Sequence, residues 1–160
     1  DTIRYFIRSS LSPYSIIDSS KAKVNTSGSA FVPFTKVQPL TNYFLVVKHR
    51  NSVETWSSTV IKFTQFTKQS SYNFTDLITR AFGNNMQQVD TSPVRFAVYS
   101  GDVNQDGTID LSDGSLIDND AFNFASGYLS TDINGDEVSD LADAVFADNN
   151  SFNFVGKITP

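Results

Sequence analysis

Asp102-Val-Asn-Gln-Asp-Gly-Thr-Ile-Asp-Leu-Ser-Asp113 returns 30 residues later as Asp132-Ile-Asn-Gly-Asp-Glu-Val-Ser-Asp-Leu-Ala-Asp143. The match runs on downstream, where Asp118-Asn-Asp-Ala-Phe-Asn-Phe124 aligns with Asp148-Asn-Asn-Ser-Phe-Asn-Phe154. A duplicated loop followed by a duplicated aromatic tail marks a duplicated structural unit, since compositional bias alone does not preserve spacing. Each unit is expected to be a loop followed by a helix, roughly 112–121 and 142–150. Helices this short cannot bury an apolar face alone. Leu111, Leu116, Ile117 and Phe122 are therefore expected to pack against Leu141, Val145, Phe146 and Phe152, with the Phe-Asn-Phe tails capping the small core.

The charge divides where the repeat begins. Residues 1–99 hold 11 basic against 5 acidic side chains, a net of +6, and residues 100–160 hold a single Lys157 against 12 acids, a net of −11. Disordered acidic tails lack aromatics, whereas this block carries Phe122, Phe124, Tyr128, Phe146, Phe152 and Phe154. It is expected to fold, and a folded unit so charged repels itself unless cations offset the charge. Nucleic acid is excluded as a partner for that half, and the basic residues of the first half form no run. No stretch of eighteen apolar residues occurs, so membrane insertion is not expected. The chain opens at Asp1 and reads as a processed product or a segment of a longer protein. Without cysteine it has neither disulfides nor thiolate metal sites.

The repeated spacing has a chemical meaning. Calcium takes six to eight oxygens at about 2.3–2.6 Å, and oxygens at loop positions 1, 3, 5, 7, 9 and 12 let one short loop wrap the ion. In the first loop these positions are Asp102, Asn104, Asp106, the main-chain carbonyl of Thr108, Asp110 and Asp113. In the second they are Asp132, Asn134, Asp136, the carbonyl of Val138, Asp140 and Asp143. Two calcium ions are therefore the expected cofactors. Gly107 holds position 6, where positive φ suits glycine. The second loop has Glu137 there, at a cost of about 1 kcal/mol if it is left-handed, and Ser139 in place of the apolar Ile109. Transition metals fit less well, because the lone His49 is remote in sequence.

Residues 1–99 are expected to form β structure. Ile3–Arg8, Ala30–Thr35, Tyr43–Arg50, Thr59–Phe66 and Val94–Tyr99 are rich in β-branched and aromatic residues and are separated by turn signals. Tyr43, Leu45, Val47 and His49 alternate with Phe44, Val46, Lys48 and Arg50. Several short strands with regular turns favour an antiparallel sandwich. A helical turn within 71–80 is conceivable from composition.

Residues 101–160 resemble the dockerin type I repeat of secreted bacterial proteins, including the aspartate at loop position 12 where ordinary EF-hands use glutamate. The resemblance implies a small all-α dockerin-like domain (100–160) with two EF-hand-like calcium loop–helix units, which folds on calcium and docks onto a cohesin domain. In cellulosomal members the recognition positions correspond here to Leu111, Ser112, Asp118, Asn119 and Asn123, and again to Leu141, Ala142, Asp148, Asn149 and Asn153. This chain has Asp-Asn where those members often present basic residues. The stretch Tyr43-Phe-Leu-Val-Val-Lys-His-Arg-Asn-Ser-Val-Glu-Thr-Trp56 is similar to the prealbumin-like, Ig-like β-sandwich that precedes such repeats in large secreted proteins of Bacteroidota- and Ignavibacteria-type bacteria. That implies a sandwich over 1–99 and a secreted, cell-surface, non-catalytic anchoring module. The protein partner would be a cohesin-like domain or a neighbouring copy, and a structural subunit of a surface layer or filament is the alternative.

Other signals are weaker. Trp56 beside polar residues is a possible glycan platform, although such a residue is more often half-buried in a strand. His49 has no partner carboxylate nearby in sequence. No serine lies in a nucleophile context, and the periodic aspartates are better explained as ligands than as a catalytic pair.

Overall fold

The computed structural model covers Asp1–Pro160 and divides into two compact units. The first comprises Asp1–His49, Glu54–Ala97 and Ile158–Pro160; the second comprises Arg50–Val53 and Val98–Lys157.

In the first unit, β1 (Thr2–Ser9), β2 (Ile16–Lys23), β3 (Asn42–Lys48), β4 (Thr55–Trp56) and β5 (Ile61–Lys62) form one antiparallel sheet. β1 lies between β2 and β3, and β3 pairs with both β4 and β5. The register sets Tyr5 opposite Val47, Ile7 opposite Leu45 and Arg8 opposite Phe44. Alternation then sorts the side chains onto two faces. One face carries Ile7, Tyr43 and Ile61, which cluster with Val37 and Phe63. The other carries Phe44 and Trp56, which meet Tyr14 edge-on.

A second sheet is not what covers the first cluster. Asp18 on β2 accepts the amides of Thr35 at 2.6 Å and Lys36 at 2.8 Å, which pins the irregular segment carrying Phe34 and Val37 over the sheet. Burial alone would push the Asp18 carboxyl up, but the amides of Lys36, Thr35 and Ser19 outweigh it and hold it below its ordinary value. Segment 30–35, expected as a strand, pairs with no strand, and its last residue, Thr35, gives its amide with that of Lys36 to the Asp18 carboxylate. Of 59–66 only Ile61–Lys62 pairs, and the helical turn of 71–80 is a 3-10 turn at Ile78–Arg80. The remaining pair, β6 (Gln87–Thr91) and β7 (Val94–Ala97), is a separate two-stranded sheet. The expected sandwich of two packed sheets is therefore corrected to one five-stranded sheet, faced by irregular chain, and a hairpin.

The second unit departs from expectation as well. It has two helices, α1 (Leu111–Phe122) and α2 (Leu141–Phe152), of 12 residues each. No helix leads directly into either acidic loop, since residues 123–131 between α1 and the second loop are irregular, and the helices cover less than half of the unit. The chain as a whole is mostly β and irregular, and this unit joins its two helices with irregular chain and isolated β-bridges, so an all-α domain with two EF-hand-like units does not describe it. Asp110 and Asp140 start the helices through capping boxes with Asp113 and Asp143. These place carboxylates at the positive end of each helix dipole.

The core of this unit is Val53, Val103, Ile109, Ile117, Ala144, Ala147 and Val155. Of the expected helix contacts only Ile117 is buried: Leu116 of α1 is exposed, and on α2 Ala144 and Ala147 are buried while Val145 and Phe146 are half exposed. The reason is close approach: a β-carbon on Gly101 would stand 3.2 Å from the Ala147 Cα, so only a small residue fits there. The aromatic tails do not cap the core. Phe122, Phe124, Phe152 and Phe154 are 83–93 % exposed, and Leu111 and Leu141 are also open.

Candidate cation-binding loops

The loops are built by their own side chains. In the first, Asn104 Oδ1 accepts the Asp106 amide at 2.8 Å and Asp106 Oδ1 accepts the Thr108 amide at 2.9 Å. Asp113 closes the loop from the helix, with Oδ1 accepting the amides of Val103 and Asn104 and Oδ2 that of Asp110. The second loop repeats each bond: Asn134 to the Asp136 amide, Asp136 to Val138, and Asp143 to Ile133, Asn134 and Asp140. Every second side chain folds inward to satisfy the backbone of a continuous bend, the local Asx chemistry expected of such spacing.

Asp102, Asp113, Asp132 and Asp143 are between 0 % and 2 % exposed. Asp106, Asp110, Asp136 and Asp140 lie at the surface, with Asn104 and Asn134. Burial pushes the Asp113 carboxyl up against three backbone donors, while the hydroxyl and amide of Ser112 hold Asp110 low. Each amide nitrogen of Asn104 and Asn134 points at the next aspartate, Asp106 Oδ2 at 3.0 Å and Asp136 Oδ2 at 2.9 Å. No group of three or more His, Cys, Asp or Glu side chains stands close enough together to hold a metal ion. The donor set is all oxygen, which suits a hard cation, and a carboxylate has about four lone-pair directions. The position-12 aspartates spend three of these on amides, leaving one each.

The two loops do not pair with each other. Thr108 bridges Gly156 and Val138 bridges Ser126. Ile109 N–H donates to Val155 O at 2.9 Å and Lys157 N–H to Gly107 O at 2.7 Å. The mirror bonds are Ser139 N–H to Ala125 O and Gly127 N–H to Glu137 O. The strap after each helix therefore supports the loop of the other repeat. Position 6 is left-handed in both, at φ 98° for Gly107 and φ 70° for Glu137, and position 4 likewise for Gln105 and Gly135.

The residues matched to a recognition surface, Leu111, Ser112, Asp118, Asn119 and Asn123 with Leu141, Ala142, Asp148, Asn149 and Asn153, are all exposed. Trp56 is not a platform: it is 3 % exposed, donates from Nε1 to Glu54 Oε1 at 2.8 Å, and lies under the Arg8 guanidinium. His49 finds its carboxylate in Asp1, at 2.7 Å.

Sequence reasoning missed Arg50, which it placed at the end of a strand, and Asn51, to which it gave no role. Both belong to the second unit and reach the second loop. Their distance of about eighty positions from Asp132 leaves no signal in spacing. No family model matches the chain, and neither a curated protein nor a solved structure matches it. No helix is long and apolar enough to cross a membrane.

Proposed function

We propose that the chain is a non-catalytic, calcium-stabilised attachment module of a secreted or cell-surface protein, with one calcium ion at each acidic loop. The observation that carries this reading is the burial of four aspartates in residues 100–160, which hold 12 acids and one lysine. From outside that stretch, Arg50 reaches one of the four, Asp132, by an ion pair. Leaving a buried charge without compensation costs several kcal/mol, and a divalent ion compensates more than one carboxylate at once. The ligands would be Asp102, Asn104, Asp106, the Thr108 carbonyl, Asp110 and Asp113, and their counterparts Asp132, Asn134, Asp136, the Val138 carbonyl, Asp140 and Asp143. Binding would exchange the contacts between the Asn104 and Asn134 amide nitrogens and the neighbouring aspartates for contacts to the ion.

Calcium then supplies folding energy, and the ordered helices offer a duplicated surface to a protein partner, a cohesin-like domain or a neighbouring copy. The open Leu111, Phe122 and Phe124, repeated as Leu141, Phe152 and Phe154, support a protein partner. The burial of Trp56 removes the support for a glycan.

Isothermal titration of the chelated chain with calcium tests the proposal. Two equivalents with measurable heat are expected; no heat at millimolar calcium, where extracellular modules bind, would overturn it.

A further inference from the structure

The two loops share the bonds made by their side chains at positions 3, 5 and 12 and differ at position 1 and in what holds them from outside. At the second loop, Arg50 Nε donates to Leu129 O at 2.6 Å. One of its terminal nitrogens donates to Asp132 O at 3.0 Å and lies 3.3 Å from Asp132 Oδ2. The guanidinium rests over the Tyr128 ring at 4.1 Å, and Asn51 Nδ2 adds a second donor to Asp132 O at 2.9 Å. The ion-paired side chains are nearly closed to solvent, at 16 % and 3 % exposure. At the first loop the matching carbonyl, Asp102 O, accepts from Gln105 Nε2 at 2.7 Å, an uncharged donor inside the same loop.

A planar fork engaging carbonyls and a carboxylate together fixes geometry as well as charge. Position 1 of the second loop therefore carries a covalently tethered cation, whereas position 1 of the first meets a neutral amide. Asp132 Oδ1 also accepts the amides of Gly135 at 2.8 Å and Asp136 at 3.1 Å, so the brace reaches the turn that follows.

We propose that Arg50 is a positioning residue that holds the second loop in its bound shape without calcium, so that the loops differ in their dependence on the ion. Calcium orders the first loop, and Arg50 already orders the second. The consequence for calcium rests on the reading of both loops as calcium sites; the brace itself does not.

Amide hydrogen exchange of the whole chain in chelator tests this on chemically matched pairs. Val103 and Asn104 donate to Asp113 Oδ1, and Ile133 and Asn134 donate to Asp143 Oδ1. The second pair is expected to exchange at least roughly tenfold more slowly than the first, a difference in local opening. Arg50→Gln should abolish the difference while β-sheet amides such as Ile7 and Val46 stay protected. If Arg50→Gln unfolds the second unit in chelator, Arg50→Lys decides: it keeps the charge near Asp132, loses the fork, and should speed exchange at Ile133 and Asn134 while Val103 and Asn104 hold their rates. Equal exchange of the two loops in the parent chain overturns the proposal, as does a second loop indifferent to both substitutions. Calorimetry with calcium on the same samples keeps the two ideas apart, because absent ion binding would refute the calcium reading and leave the exchange difference to be judged alone.

Discussion

Glu137→Gly should stabilise the second unit. Glu137 sits at φ 70°, and its counterpart Gly107 fills the same loop position at φ 98°. A β-carbon in this region costs about 1–2 kcal/mol. Glycine returns about 0.4–1 kcal/mol of that through the greater freedom of the unfolded chain. The Glu137 side chain is exposed, and the bond its carbonyl accepts from Gly127 at 2.7 Å belongs to the backbone and survives the change. The balance is a gain of about 0.5–1 kcal/mol, with the lost negative charge acting in the same direction. For a unit of this size that raises the melting temperature by roughly 4 °C. Thermal melts followed by helical circular dichroism, in chelator and in calcium, measure it. Gln105→Gly is the control: it also relieves a left-handed residue, at φ 65°, but deletes the amide donor to Asp102 O. A lost bond of about 1 kcal/mol leaves that variant near neutral. No gain for Glu137→Gly, or an equal gain for both, would refute the account of the strain.

Ser139 is 1 % exposed and its hydroxyl has no hydrogen-bond partner, so Ser139→Ala should add about 1 kcal/mol in chemical denaturation; a loss would show that the hydroxyl is satisfied. Phe124 and Phe154 end their helices at φ 52° and 53° and are almost fully exposed, so replacing either with glycine should stabilise by about 0.5–1 kcal/mol. Removing calcium should lower the helical dichroism, with the loss at α1, while α2 and the sheet amides stay protected; unchanged spectra would count against ion-coupled folding. Asp18 titrates below its ordinary value, so its contribution is complete above pH about 4 and is lost as pH falls through the depressed folded value. Asp18→Asn should lower stability at neutral pH and flatten this acid limb, and an unchanged limb would refute the role.

The period-two pattern located β1 and β3 because both faces of those strands pack: Ile7 and Tyr43 on one side, Phe44 and Trp56 on the other. It failed at residues 30–35, where composition is as strand-like but the segment pairs with no strand and is pinned at its end, through the Thr35 and Lys36 amides, by the Asp18 carboxylate. It also passed over β2, whose Ser19, Ser20, Lys21 and Lys23 resemble a loop and which is an edge strand, where lysine and short polar side chains are tolerated. Local propensity cannot anticipate a bond made at a distance. The same limit placed Val145 and Phe146 in the core, since Gly101 pressing on Ala147 decides which α2 face turns inward.

Alternating aspartate and asparagine was legible as a pair of short loops carrying ligands to an ion. That the same oxygens cap the loop's own amides, in bonds spanning two to ten positions, emerges only from the structure. What supports the bend from outside was not legible. Ile109 takes its backbone partner from Val155, beyond the second helix, and Ser139 takes its partner from Ala125, beyond the first. Duplication explains why this works: equal loop–helix–strap units can trade straps with no change in length, and each loop then relies on chain that the other repeat positions. A single repeat keeps all its own oxygens yet lacks the strap beside its loop. Arg50 breaks the resulting symmetry, because the chain supplies it once and its guanidinium reaches Asp132 and Leu129 at the second loop. Loops that already differ in sequence at positions 6 and 8 thereby differ also in what braces them from outside and, under the proposed calcium reading, in how much order each gains from calcium.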